Sequence, residues 1–327
     1  MKKIIKHILY NDIFLKIFGS TFLFRFLLKN STVIFLYHEV TNEPSEFHKK
    51  YGLNVTPKLF KDQIKMIKNH FNVIDAKTLL KGNYKTPAAL ITFDDGSKGN
   101  YTNAYPILEE LKCPSLMFLN MGPIKGEIFW SGLITYLFNC DDKFNETVIN
   151  KNLNFLNIRP NDIEEYLKIN KSQIDKNARR YYGDFMNTND LKKMSESSFL
   201  SFGNHLYQHY NCANCSKDEI VNNYVLNHDL LKNYKNYSNL FSYPFGQKNT
   251  CYNDKTNNLI FGLGADAIFT ANPENFLNNG KIYHRFSLSN KYNSLSFLRM
   301  MLVIRKIIIN LSLQDFYTKF IKKLNKN

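Results

Sequence analysis

The sequence predicts an α/β protein built on a parallel sheet with crossover helices. Two observations predict it. Short apolar runs of strand length alternate with stretches whose apolar residues recur at helical spacing, and each run gives way to turn residues before the next helix signal begins. At 327 residues, 44% hydrophobic and 22% charged, the chain is long and apolar enough to bury one large core. An open doubly wound sheet and a closed barrel fit this alternation equally well. In either, chemistry belongs at the carboxyl ends of the strands.

The elements follow in order. Residues 1–30 carry Ile4, Ile8, Leu15, Phe18, Phe22 and Phe26 near helical spacing, with Lys16, Arg25 and Lys29 between them. That suits an amphipathic helix lying on a membrane interface or packed on the body of the protein. Lys2, Lys3 and Lys6 resemble the start of a signal peptide. Asn11, Asp12 and Lys16 break the apolar stretch, however, and no small-residue cleavage site follows, so no cleaved signal is expected. No apolar run reaches the length needed to span a bilayer.

Val33 to Tyr37 reads as a strand. Thr56-Pro57 is an N-cap and first-turn pair opening a helix to about Lys68. Val73 and Ile74 form a short strand, and residues 88–93 form the next. Asn100 to Leu111 is a helix with one apolar face. Ser115 to Leu119 is a strand. Residues 124–188, starting near Trp130, break the rhythm and read as a mostly helical insertion, a lid or substrate-binding cap. Asp218 to Leu231 is a helix, and Leu240 to Ser242 and Ala267 to Thr270 are strands. Residues 291–327 return to basic, apolar helices, the last around Leu311 to Leu324. The expected organisation is therefore 1–30, a domain over 31–290 with its insertion, and 291–327.

The central stretch is Ala88-Ala89-Leu90-Ile91-Thr92-Phe93-Asp94-Asp95-Gly96. An apolar strand runs into two adjacent carboxylates and a glycine. Gly96 frees the backbone to aim both carboxylates at one place, and a divalent metal would offset their repulsion. A solvated Asp-Gly turn is the alternative. A second cluster, Phe199 to His209, ends in His205 and His209, four residues apart. Two imidazoles and one carboxylate with an open position suit a catalytic divalent ion. Two ordinary surface histidines would look the same.

The net charge is +15, from 43 Lys+Arg against 28 Asp+Glu, which favours an anionic partner such as a membrane surface. The abundance of Asn, Lys and Ile also looks like nucleotide bias, which raises basicity for no functional reason. No nucleic-acid module is recognisable, and no nucleic-acid partner is expected. Five cysteines cannot all pair internally, and nothing suggests a disulfide framework. Cys212 and Cys215 form a C-x-x-C for which the sequence offers no partner set.

Three motifs in order, Thr92-Phe93-Asp94-Asp95-Gly96, Gly203-Asn204-His205 with His209, and Phe241-Ser242-Tyr243-Pro244-Phe245-Gly246, resemble the polysaccharide deacetylases of the NodB-homology type, carbohydrate esterase family 4. Tyr37-His38-Glu39-Val40 is similar to an early signature of many bacterial members. The resemblance covers roughly residues 33–290. It implies a distorted (β/α) barrel and a metal-dependent hydrolase, a carbohydrate deacetylase acting on carbon–nitrogen bonds. Its substrate would be an N-acetylated or O-acetylated cell-envelope glycan or lipid-linked sugar precursor. By the same resemblance Asp95, His205 and His209 hold the ion, zinc first among candidates, and Asp94 is the base. His38 is the acid, with His284 in a loose Leu-x-His match as the alternative. A backbone N–H near Phe245 serves the oxyanion, and Tyr243, Pro244, Gly246 and Arg285 complete the substrate side. Trp130, apart from the resemblance, either stacks on a sugar or, the favoured reading, fills a core. Two departures stand out. Ser242 replaces a usual arginine that orients the base, which leaves that task to another group such as Arg285. Leu206 replaces a usual Ser or Thr. A catalytically degenerate, membrane-associated glycan-binding protein is the competing expectation. Without an export signal, the expected location is the cytoplasm or the inner face of the cell membrane.

Overall fold

β5 (Ala88–Phe93) is buried along its whole length, so it needs cover on both faces. The computed structural model, which describes residues 12–148, 153–272 and 280–311, supplies that cover by closing the sheet. The other strands are β1 (Thr32–Tyr37), β2 (Glu39–Val40), β3 (Asn54–Val55), β4 (Asn72–Val73), β6 (Ser115–Leu119), β7 (Leu200–Asn204), β8 (Tyr237–Ser242), β9 (Ala267–Thr270) and β10 (Ile282–Ser287). They run in the order β1-β10-β9-β8-β7-β6-β5, and β1 then pairs with β5. The result is a closed parallel barrel of seven strands surrounded by helices. β1 takes one whole edge of β5, from Thr32 opposite Ala88 to Tyr37 opposite Phe93. The other edge is shared: β4 takes Ala88 and Ala89, and β6 takes Ile91 to Phe93. A small separate sheet joins β2 to β3.

Strand alternation then sorts the side chains. Ile34, Leu90, Phe118, Leu240, Phe269 and Tyr283 form one buried cluster that fills the barrel. Residues of the opposite parity on the same strands, Phe35, Ile91, Met117 and Phe286, belong to a second cluster, between the barrel and helices such as Pro57–His70 and Leu295–Asn310. Carried on in steps of two, the inward positions arrive at His38, Asp94, His205, Ser242 and Arg285 at the carboxyl ends.

The sequence expectations for β1, β5, β6, β8 and β9 match the strands observed. β10 was not foreseen as a strand. The stretch expected as one helix from Asn100 to Leu111 opens with a π-helical turn, Asn100–Ala104, before the α-helix Tyr105–Glu110. Pro106 has no N–H to give to the i−4 carbonyl, so the regular ladder cannot run through it.

Between β6 and β7 the chain makes the helices Met121–Ile124, Trp130–Cys140, Asp142–Val148 and Pro160–Tyr182. The last three share their own apolar cluster, including Leu137, Phe144, Ile163 and Tyr182, with Phe47 of the helix Glu46–Tyr51 added to it, whereas Met121–Ile124 and a further helix of this segment, Thr188–Met194, belong to the cluster outside the barrel. A Cβ on Gly132 would lie 2.2 Å from the Tyr182 ring, so only glycine lets those two helices approach.

At the other side, the helices Asp12–Phe18 and Thr21–Leu28 pack on Leu295–Asn310. A Cβ on Gly19, between the first two, would lie 2.6 Å from the Ser296 carbonyl oxygen, and Arg299 Nε donates to the Gly19 carbonyl at 2.8 Å. Ile4 and Ile8, and the expected terminal helix beyond Leu311, lie outside the described residues. Among the described residues no helix is long and apolar enough to cross a membrane.

Candidate active site

β5 aims Asp94 inward by register, but Asp95 on the same strand would face away. A left-handed backbone at Asp95 (φ 70°), followed by Gly96 at φ 95°, turns it back. The sequence after β7 does the same with histidines. His205 continues the inward register, and positive φ at Leu206 (62°) and His209 (59°) folds the loop so that His209 returns to it. Buried amides hold this loop. Asn204 Oδ1 accepts from the Leu206 N–H at 2.9 Å and from Asn227 Nδ2 at 2.7 Å, and Asn120 Nδ2 donates to the Leu206 carbonyl at 2.7 Å. Leu206 itself is buried against Phe241 and Tyr243, outside the barrel.

Asp95 Oδ1 lies 3.4 Å from His205 Nε2 and 3.2 Å from His209 Nε2. One donor atom from each of the three residues lies within 4.8 Å of the other two, and all three residues are buried. The ring nitrogens facing away are engaged. His205 Nδ1 donates to the Ser242 carbonyl at 2.8 Å, and His209 Nδ1 lies 2.5 Å from Ser131 Oγ. Both imidazoles therefore turn Nε2 to the carboxylate. Among the described residues Asp95 Oδ1 has no hydrogen-bond partner, an open acceptor in a buried place. Two imidazoles, one carboxylate and an orphaned oxygen fit a divalent cation.

Asp94 is held by Arg285 from β10. Nη1 and Nη2 give parallel bonds of 2.7 Å to Oδ1 and Oδ2. The remaining three donors go to Thr92 Oγ1 (3.4 Å), Ser242 Oγ (2.7 Å) and the Thr270 carbonyl (3.2 Å). All five guanidinium hydrogens are thus used, as a buried arginine requires. Ser242, small and hydroxylated, leaves the room and the acceptor that this guanidinium occupies.

Electrostatics follow from that packing. Burial is the largest single influence on Asp94 and would raise its pKa, but the charge and hydrogen bonds of Arg285 together with the His205 and His38 rings outweigh it and hold the carboxyl below its usual range. Burial also works against the Asp95 carboxylate, and the His209 and His205 rings beside it carry its pKa well below the usual value. The His205 ring, though desolvated, is raised by Asp94 and Asp95. His209 and His38 are lowered by desolvation.

The cluster lies in a cavity of about 470 Å³ whose wall includes His38, Asp94, Asp95, His205, His209, Phe245 and Arg285. Phe245 (φ 61°) and Gly246 (φ 66°) reverse the chain there, and a Cβ on Gly246 would lie 2.5 Å from the Ala271 nitrogen. His38 Nδ1 has no hydrogen-bond partner among the described residues. His284 sits on the opposite parity of β10 from Arg285, with Nδ1 2.7 Å from Thr270 Oγ1, and is not part of the cavity wall. Tyr243 also points out of the barrel, stacked on Tyr252 at 4.5 Å. Pro244 is buried beside it and does not line the cavity. Trp130 packs edge-on against Tyr210 in the core between β6 and β7, away from the cavity. Sequence reasoning missed Ser131 and the apolar wall of Phe47, Tyr51, Leu53 and Phe155. A serine at a helix start and scattered aromatics carry no signal of their own. The C-x-x-C thiols are pushed up by burial, Cys215 to about 12 and Cys212 well above its usual value, so neither is a ready thiolate.

Residues 81–268, more than half of the chain, match the family described as polysaccharide deacetylase. Among solved structures the fold is similar to the Streptococcus pyogenes deacetylase PplD, determined in complex with acetate: TM-score 0.55, 18% identity, 82% of this chain and 96% of that one. It is similar to IcaB from Ammonifex degensii at TM-score 0.55 and 15% identity, over 82% of this chain and 95% of that one. A de-N-acetylase from Aggregatibacter actinomycetemcomitans gives TM-score 0.52 and 16% identity, over 83% of this chain and all of that one. Comparison of the sequence with curated proteins gives no significant match.

Proposed function

This chain belongs to the polysaccharide deacetylase family, and on that premise we propose that it is a metal-dependent hydrolase removing acetyl groups from the sugar nitrogens of an acetylated glycan or lipid-linked saccharide. One observation carries the reading: a carboxylate clamped by Arg285 stands beside a second carboxylate that faces two imidazoles, all at one cavity. A binding protein that had lost turnover would have no need of this pairing.

Asp95, His205 and His209 would hold the ion, with zinc the first candidate on the donor set. A bound divalent ion would polarise the acetyl carbonyl and make water a better nucleophile. Asp94, ionised under the Arg285 charge, accepts the proton of the attacking water. The water oxygen bonds to the acetyl carbon, the carbon–nitrogen bond breaks, and the departing nitrogen takes a proton. His38 is the group we assign to give that proton, supported by its position at the cavity wall and by an Nδ1 without a hydrogen-bond partner among the described residues; His284 does not line the cavity. The Phe245 turn brings backbone to the same wall, where an N–H can meet the developing oxyanion. The apolar surfaces of Phe47, Tyr51 and Phe155 suit the faces of a sugar ring and exclude water.

The test is acetate release from acetylated glycans and lipid-linked sugars, with and without chelator. Release should stop with chelator and return with added zinc. Asp94→Asn should lower it about a thousandfold or more while stoichiometric metal remains bound. Full activity in that variant, or indifference to chelation, removes the proposal. Bound metal without acetate release from any substrate would instead mark a binding protein.

A further inference from the structure

We propose that the paired helices Asp12–Phe18 and Thr21–Leu28 form a docking surface for an anionic lipid bilayer. Each helix has one face against Leu295–Asn310 and the core, through Phe14, Leu15 and Phe18 on the first and Phe24 and Leu28 on the second. The opposite faces should be polar in a surface helix. They are not. Ile13 is 69% exposed, Ile17 54%, Phe22 80% and Phe26 57%. They are spaced four apart on each helix, so each pair shares one face. The other large exposed apolar side chains among the described residues, such as Tyr51, Leu80 and Ile169, are spread over the rest of the chain.

Charge identifies the occupant. Lys16, Arg25 and Lys29 are exposed on the same two helices, and Lys29 Nζ lies 5.3 Å from the centre of the Phe26 ring. Across residues 12–30 these three cations outnumber the single acid, Asp12. The sequence of residues 1–11 continues the composition with Lys2, Lys3 and Lys6 and no acid. Aromatic and aliphatic side chains interleaved with cations match the boundary between acyl chains and anionic headgroups. A second copy of this chain would bring the same cations face to face, and a nucleic-acid backbone would leave the four apolar side chains without a partner.

The inference does not depend on the catalytic reading, because its readout is binding. The full-length protein is sedimented with phosphatidylcholine vesicles that contain or lack phosphatidylglycerol, at low and high salt. Binding is expected only with phosphatidylglycerol and should weaken with salt. The double variant Phe22→Asp/Phe26→Asp should lower the partition about tenfold or more, whereas Ile169→Asp, at an exposed apolar site elsewhere, should not. Both variants replace exposed residues, and unchanged circular dichroism and thermal midpoint establish that they fold. Absence of binding overturns the proposal, as does equal binding to both lipids or indifference to the double substitution. A dimer in solution that the double variant dissociates would assign the surface to a second copy and overturn it as well.

Discussion

Arg285 decides the chemistry of Asp94. A carboxyl buried this deeply would hold its proton near neutrality without a compensating charge, and a protonated carboxyl is no base. Arg285→Met should therefore do two separable things. It leaves Asp94 buried and unpaired, at a stability cost of about 3–5 kcal/mol. It also raises the Asp94 pKa, so the acid limb of kcat/KM for acetate release should move to higher pH. A variant that is merely less stable would lose amplitude without that displacement. The pair was partly legible in the sequence: with serine at position 242, the usual cation had to come from elsewhere. Its geometry was not, because nothing in Tyr283-His284-Arg285 marks a strand or says which of the three turns inward. Register settles that, and it also turns His284 away from the site.

Ser131 and the segment around Glu39 act at the scale of elements. The helix Trp130–Cys140 reaches the site through Ser131, 2.5 Å from His209 Nδ1, and so fixes the ring of a proposed ligand. Ser131→Ala should weaken zinc binding about tenfold to a hundredfold, measured by competition with a chromophoric chelator, while His205 keeps its carbonyl partner. Unaltered affinity would mean that Phe129 and Phe245, packed on the same ring at 5.2 and 4.9 Å, suffice to hold it. On β2, Glu39 Oε2 lies 3.1 Å from His48 Nδ1. Burial raises the Glu39 carboxyl to about 7 and lowers His48 to about 4, so between those values both groups are neutral and form no ion pair, and His48 Nδ1 bonds to Ser45 Oγ at 2.7 Å instead. The signs oppose. Glu39 costs stability as pH rises from about 4.5 to 7, where the unfolded chain ionises and the folded one does not; His48 costs stability as pH falls from about 6.5 to 4. Across their overlap the trends offset. Glu39→Gln should expose the histidine alone, giving a thermal midpoint that climbs with pH between about 4 and 6.5. A slope like that of the wild type would show that Glu39 does not carry the proton.

For the whole molecule, the alternation of strand and helix was legible in the pattern, whereas the closure was not and was expected, correctly, only from the family resemblance. An open sheet and a barrel have the same local pattern. What separates them is the pairing of β1 with β5 and the insertion of β10 between β1 and β9, contacts between distant segments that no window of sequence contains. The two motifs that supply the carboxylates and imidazoles could be found beforehand because each is local, a strand end with a glycine beside it. The apolar cavity wall could not, since Phe47, Tyr51 and Phe155 meet only in three dimensions. Trp130 is the converse case: its size drew attention, and packing claimed it. The position of Arg285 has one more consequence. The guanidinium that readies Asp94 rides on the tenth and last of the strands described here, nearly two hundred residues downstream of its partner. On the proposed mechanism, a chain still emerging from the ribosome would carry both carboxylates and both imidazoles once β7 and its loop exist, yet would lack a readied base until β10 has been made and seated, so hydrolysis would be withheld from an unfinished copy.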